Sequence, residues 1–151
     1  MFFNNDGSIK KVIPTLRGVG LTNASSKIQV DRYSLKSDEG ASIAYLDTLN
    51  TFEGWKTKLD KANAWVQYNS VDFGNDKLKS AKVRVMSETG GTLQLRLDKT
   101  GGTVIAEIKI PEGNKWSIVD SPLSGYETGI HNLIVLLKDN KNVEVDWLSF
   151  E

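Results

Sequence analysis

Apolar and polar residues alternate with a period of two through most of the chain from residue 28 onward. Thr92-Leu93-Gln94-Leu95-Arg96-Leu97-Asp98 alternates strictly, which puts Leu93, Leu95 and Leu97 on one face of a strand and Gln94 and Arg96 on the other. Lys82-Val83-Arg84-Val85 and Val143-Glu144-Val145-Asp146-Trp147 repeat the pattern, and further on Ala106, Ile108 and Ile110 oppose Glu107 and Lys109. Leu133-Ile134-Val135-Leu136-Leu137 is apolar throughout, as in a strand buried on both faces. Turn chemistry separates these runs: Gly90-Gly91, Thr100-Gly101-Gly102, Glu112-Gly113-Asn114, Ser124-Gly125 and Asp139-Asn140-Lys141-Asn142. The nearest thing to a helical period, at 59–65, is too short to sustain a helix. The pattern predicts an all-β fold, an antiparallel two-sheet β-sandwich. No internal repeat points to a propeller or solenoid.

The first 27 residues read differently. Asp6-Gly7 marks a turn, Ile13-Pro14 and Gly18-Val19-Gly20 interrupt regular structure, and Thr22-Asn23-Ala24-Ser25-Ser26 has the composition of a linker. Residues 1–27 are expected to be an arm or linker from a preceding domain, with 28–151 the folded domain; a strand lying on the domain surface is the other reading. Met1-Phe2-Phe3 passes directly into Asn4-Asn5-Asp6, with no charged n-region and no apolar h-region. The chain is therefore expected to be either intracellular or a piece of a longer secreted protein.

Composition narrows the chemistry. The 151 residues are enough for one compact domain. Nineteen basic against 19 acidic side chains leave no net charge, which argues against a general nucleic-acid binder. No run approaches 18 apolar residues, so no transmembrane helix is expected and no membrane partner is called for. With no cysteine and one histidine, His131, thiolate catalysis, disulfides and multi-histidine metal sites are excluded. No Gly-x-Ser-x-Gly elbow or phosphate-cradling loop is present, and the acids are scattered with no convergent pair. His131, at the start of a strand, reads as a partly buried histidine donating to a loop carbonyl. The chain is read as non-catalytic, with no catalytic residue assigned.

Four tryptophans draw attention to binding. Trp147 sits in an alternating strand and reads as core. Trp65 begins a strand, Trp55 follows Gly54 in a polar stretch, and Trp116 follows the Gly113-Asn114-Lys115 turn. An exposed ring beside amides and acids suits a sugar, whose C–H face stacks on the ring while polar groups take its hydroxyls. Taken singly, a loop tryptophan is as often a lid on the core.

Three segments, Ile28-Gln29-Val30-Asp31, Trp65 to Gly74 and Gly90 to Asp98, follow one another in an order that resembles family 6 carbohydrate-binding modules. Gly129-Ile130-His131-Asn132-Leu133 and the closing Asn142 to Phe150 continue the resemblance to the end of the chain. Asp6 to Pro14 resembles the tail of a family 43 glycoside hydrolase, such as an arabinofuranosidase or xylosidase. The resemblance implies a jelly-roll sandwich that binds plant cell-wall polysaccharide, xylan or another β-linked glycan, as a monomer. It implies a secreted parent enzyme whose covalently attached catalytic domain the module holds near its substrate. A structural calcium is implied at Gln29, Asp31 and Asp146, with backbone oxygens from around 51–53; Asp31 stands where the family usually has glutamate. For sugar, the family pattern points first to a loop cleft built from Trp55, Trp116 and Asn142. There, Trp116 falls on a position that leaves the usual two-ring sandwich incomplete. The second surface is a concave sheet face with Trp65 and Gln94, which Arg96 shares. A module that has lost sugar binding and acts as a spacer is the alternative.

Overall fold

The computed structural model describes residues 3–9, 15–18, 20–126 and 128–151. The Ile13-Pro14 break, Val19 and part of the segment resembling a hydrolase tail lie outside the described residues. In chain order the strands are β1 (Thr22–Asn23), β2 (Ile28–Gln29), β3 (Leu35–Lys36), β4 (Ala41–Tyr45), β5 (Trp55–Leu59) and β6 (Trp65–Asp72). They continue with β7 (Ser80–Ser87), β8 (Gly91–Leu97), β9 (Val104–Ile110), β10 (Gly113–Pro122), β11 (Ile130–Leu137) and β12 (Val143–Phe150). A single 3-10 turn, Thr51–Glu53, precedes β5.

The strands form two sheets. The front sheet runs β1-β6-β11-β8-β9 with β3 also on β6, and the back sheet runs β10-β7-β12-β5-β4 with β2 on β12. All pairings are antiparallel except the short β1–β6 contact. This is the expected two-sheet sandwich. Its core lies between the sheets, where Val66, Tyr68, Leu93, Leu95, Leu133, Val135 and Leu137 meet Leu59, Val83, Val85, Val145, Leu148 and Phe150, all buried. Neighbouring side chains on each strand point alternately into this core and out of it, which is why the period of two carried the fold.

The run 133–137 is the centre of the front sheet, and every residue in it is buried. Leu133, Val135 and Leu137 belong to the core cluster, whereas Ile134 and Leu136 face outward. They are nevertheless 0% and 5% exposed, because longer side chains on β6 and β8 stand on either side of them. The sandwich also takes in chain ahead of residue 28. Thr22 and Asn23 pair with Val71 and Asp72, Ala24 is wholly buried, and Arg17 Nη2 donates to Thr22 Oγ1 at 2.9 Å and to the Ser70 carbonyl at 3.1 Å.

Trp147 departs from the expectation. The β12 register slips against β7 between Val145 and Trp147, a bulge at Asp146 that turns Trp147 out of the core. It is half-buried, with the Lys27 ammonium 4.6 Å from its ring centre. His131 is part-buried as expected, its ring nitrogens 3.0 Å from Asp98 Oδ2 and 3.3 Å from the Thr128 carbonyl.

Candidate functional site

The outer face of the front sheet carries an ordered row of side chains. Leu136 on β11 lies opposite Trp65 on β6 and opposite Gln94 on β8, and Gln94 lies opposite Glu107 on β9. One step along, Ile134 lies between Gln67 and Arg96. Two strand spacings separate Trp65 from Gln94, about 10 Å, with Leu136 and Ile134 between the rows, covered by their longer neighbours. That width suits a single sugar chain laid across the sheet.

The polar wall is tied together by hydrogen bonds. Gln94 Nε2 donates to Glu107 Oε2 at 2.8 Å, and its Oε1 accepts from Arg96 Nε at 3.2 Å and Nη2 at 2.6 Å. These partners fix which way the amide points, since a carboxylate only accepts and a guanidinium only donates. Arg96 Nη1 donates to the Thr100 carbonyl at 2.7 Å. That carbonyl belongs to the turn joining β8 and β9, which closes with Gly102 N–H on the Lys99 carbonyl at 2.8 Å. A side chain at Gly102 has no room, because its Cβ falls 1.9 Å from the Leu97 carbonyl oxygen. Glu107 is also met by Lys138 at 3.0 Å and Lys109 at 3.3 Å. The Gln94 amide first, then the two lysines, hold its carboxyl down at about 2.

The structure places Trp55, Trp116 and Asn142 apart rather than along one cleft, unlike the three-residue loop site expected from the resemblance. Asn142 lies in the exposed turn before β12 and lines a cleft of about 320 Å³ with Lys58, Met86, Ser87, Glu88, Thr89 and Glu144. No aromatic ring lines that cleft. Trp55 is at the far end of β5: Leu59 pairs with Val143, and Trp55 is four residues away from that row, about 13 Å along the strand. It stacks on Tyr45, ring centres 4.1 Å apart, and lines a cleft of about 310 Å³ with Leu16, Asp31, Arg32 and Ile43. Trp116 is on the back sheet, half-buried, with the Arg84 guanidinium 4.9 Å and the Lys56 ammonium 5.9 Å from its ring centre. The antiparallel register sets these separations, and spacing along the chain does not reveal register.

Gln29 lies on β2 and Asp31 just after it, and β2 runs along β12 beside Asp146. Gln29 pairs with Trp147, and the Val30 N–H donates to the Asp146 carbonyl at 2.9 Å. Burial, with the Asp146 charge adding to it, pushes the Asp31 carboxyl up from its ordinary value, against the pull of its own N–H and Arg32. Among the described residues no cation lies within 4 Å of the Asp31 carboxylate, while Asp146 is paired with Arg84. Two carboxylates close enough to feel each other's charge are the oxygen donors a hard cation prefers, and Gln29 on the adjoining strand lines a neighbouring cleft with Arg17, Arg32 and Tyr68. Thr51–Glu53 form the exposed turn directly before β5. Among the described residues no group of three or more histidines, cysteines or acids gathers as a metal cluster.

Sequence reasoning placed Trp65, Gln94 and Arg96 on this sheet face but missed Glu107 and Lys138 as their partners. It also missed that Ile134 and Leu136 lie between them, for which the unbroken apolar run was the available signal. The partner positions on β9 and after β11 required the register.

The pattern of the carbohydrate binding module (family 6) matches residues 33–151. This chain belongs to that family. An arabinoxylan arabinofuranohydrolase of Paenibacillus polymyxa is 24% identical over 139 residues, which is 87% of this module and 21% of the relative. The module thus spans about a fifth of that relative's length. Among solved structures, a family 6 module of Clostridium stercorarium in complex with cellobiose superposes with a TM-score of 0.77. The two share 23% identity, and the match covers 87% of this chain and 97% of that one. A family 43 arabinoxylan arabinofuranohydrolase of Bacillus subtilis, in complex with cellotetraose, gives 0.76 at 21% identity, covering 99% of this module and 32% of the enzyme. The module is therefore homologous to the family 6 carbohydrate-binding regions of family 43 arabinoxylan arabinofuranohydrolases.

Proposed function

We propose that the module is a non-catalytic targeting unit that binds xylan, arabinoxylan or a related β-linked polysaccharide through the outer face of its front sheet. The observation that carries this is the Trp65–Leu136–Gln94 row: an aromatic ring on one strand and an ordered amide two strands away on the same outer face. A sugar ring stacks on Trp65 while its hydroxyls meet Gln67, Gln94 and Arg96. The arabinoxylan-acting relative and the cellobiose-bound neighbour support a β-linked chain as ligand. In this reading the module is secreted as part of a larger enzyme and keeps an attached glycoside hydrolase, of the arabinofuranosidase or xylosidase kind, at its substrate. A structural calcium held by Gln29, Asp31 and Asp146 pins β2 to β12 and neutralises the facing carboxylates.

Affinity electrophoresis in gels containing xylan, arabinoxylan, arabinan or mixed-linkage β-glucan tests the reading, with released reducing sugar assayed in parallel. Retardation by a xylan-type polymer without sugar release is expected. Absence of retardation in every gel would overturn it in favour of a structural spacer.

A further inference from the structure

The sheet face described above carries a charge that nothing in the fold uses. Arg96 lies within 4 Å of no carboxylate among the described residues; its hydrogen bonds go to the neutral Gln94 amide and the Thr100 carbonyl. The carboxylates nearest to it in sequence and register are engaged elsewhere. Asp98 Oδ2 faces His131 and its Oδ1 accepts from the Asn132 N–H at 3.1 Å. Asp139 Oδ1 accepts from the Thr92 N–H at 2.9 Å, and Glu107 is taken by Gln94, Lys109 and Lys138. A guanidinium has five N–H donors, and three of these contacts use one each, so two remain. They belong to a part-buried side chain held in place by its neighbours, one row from Trp65 along β11 on the same outer face.

We propose that this face selects polysaccharide bearing uronic-acid carboxylates, with Arg96 receiving the carboxylate while Trp65 stacks on a neighbouring sugar. The inference rests on the sheet-face reading above and deepens it. A carboxylate presents two coplanar oxygens, the partner a planar guanidinium recognises better than it does any hydroxyl. Lys138 and Lys109 add positive potential at the same edge and are only half neutralised by the single Glu107 carboxylate they share. Gln94 holds the guanidinium edge-on, so little ordering remains to be done when the ligand arrives.

The test compares glucuronoxylan with the same polymer after reduction of its carboxyl groups to alcohols, together with neutral arabinoxylan and polygalacturonate, by affinity electrophoresis of the wild type and Arg96→Gln. The wild type is expected to bind glucuronoxylan about tenfold more tightly than the reduced polymer, one charge-assisted contact's worth. That preference should shrink in 1 M salt, where screening falls to about 3 Å, and should vanish in Arg96→Gln. Equal binding of native and reduced polymer by the wild type overturns the inference and leaves the sheet-face site standing. A preference that survives in Arg96→Gln overturns the assignment to Arg96. Retention by polygalacturonate alone overturns a β-linked backbone as the source of the carboxylate, and retention by no polymer overturns the sheet-face reading itself.

Discussion

Replacing Gln94 isolates what the bridged wall contributes to the fold and to binding. The side chain is 7% exposed and makes one bond to the Glu107 carboxylate and two to the Arg96 guanidinium. Gln94→Leu keeps most of the volume over Leu136 and removes every one of those bonds. Hydrogen bonds to charged groups contribute about 1.5–3 kcal/mol in shielded settings. Glu107 is solvent-facing and Arg96 partly so, and both regain water in the variant, so the total falls to about 1.5–2 kcal/mol. Gln94→Ala also strips a methylene from above Leu136, about 0.8 kcal/mol more. In a domain of this size each kcal/mol lowers the melting temperature by about 2–4 °C. Differential scanning calorimetry should therefore place Gln94→Leu roughly 3–8 °C below the wild type and Gln94→Ala a few degrees lower again. Both variants remain folded at 25 °C, and both should show reduced retardation in xylan gels. A Gln94→Leu midpoint within about 1 °C of the wild type would refute the argument. The bridge would then add nothing to stability, and the order of the wall would have another source.

Trp65→Ala should abolish retardation by polysaccharide while Asn142→Ala leaves it intact; the reverse pattern in the same gels returns the site to the loop end. Calcium should raise the melting temperature by roughly 5–11 °C over that in EDTA at a hundredfold excess over its dissociation constant, and Asp31→Asn should remove this dependence; coincident wild-type melts in calcium and EDTA sink the metal site. The Glu107 carboxyl should titrate near 2 by side-chain carbonyl NMR. Because its folded value is depressed, its stabilising contacts are complete above the unfolded value near 4.5 and are lost only as pH falls through about 2. A midpoint above 4 would contradict the network. The Thr57 hydroxyl is wholly buried and has no partner among the described residues, so Thr57→Val should gain about 1 kcal/mol in urea denaturation, and a loss of stability would show that the hydroxyl is satisfied.

The all-β class, the alternating core and the central strand buried on both faces were legible from the residues in order. Each of these depends on which side of a single strand a residue occupies, and the period of two states that directly. The same logic put Gln94 and Arg96 on one outward face, and the Gly-rich turns that bound the strands were equally plain. The grouping of Gln29, Asp31 and Asp146 came from the resemblance, and local spacing accounts only for the nearness of Gln29 and Asp31 along the chain. What lies opposite what was decided by tertiary structure alone. Register between strands far apart in sequence puts Trp65 across Leu136 from Gln94, gives Gln94 its Glu107 partner, and leaves Arg96 without an anion among the described residues. It also separates Trp55 from Asn142 by the length of β5 and sets Trp116 under Arg84. One bulged residue, Asp146, turns Trp147 from core to surface, because a one-residue slip exchanges the two faces of a strand. Such a slip leaves no mark on the composition or period of either strand, so the site becomes legible only when the sheets are assembled.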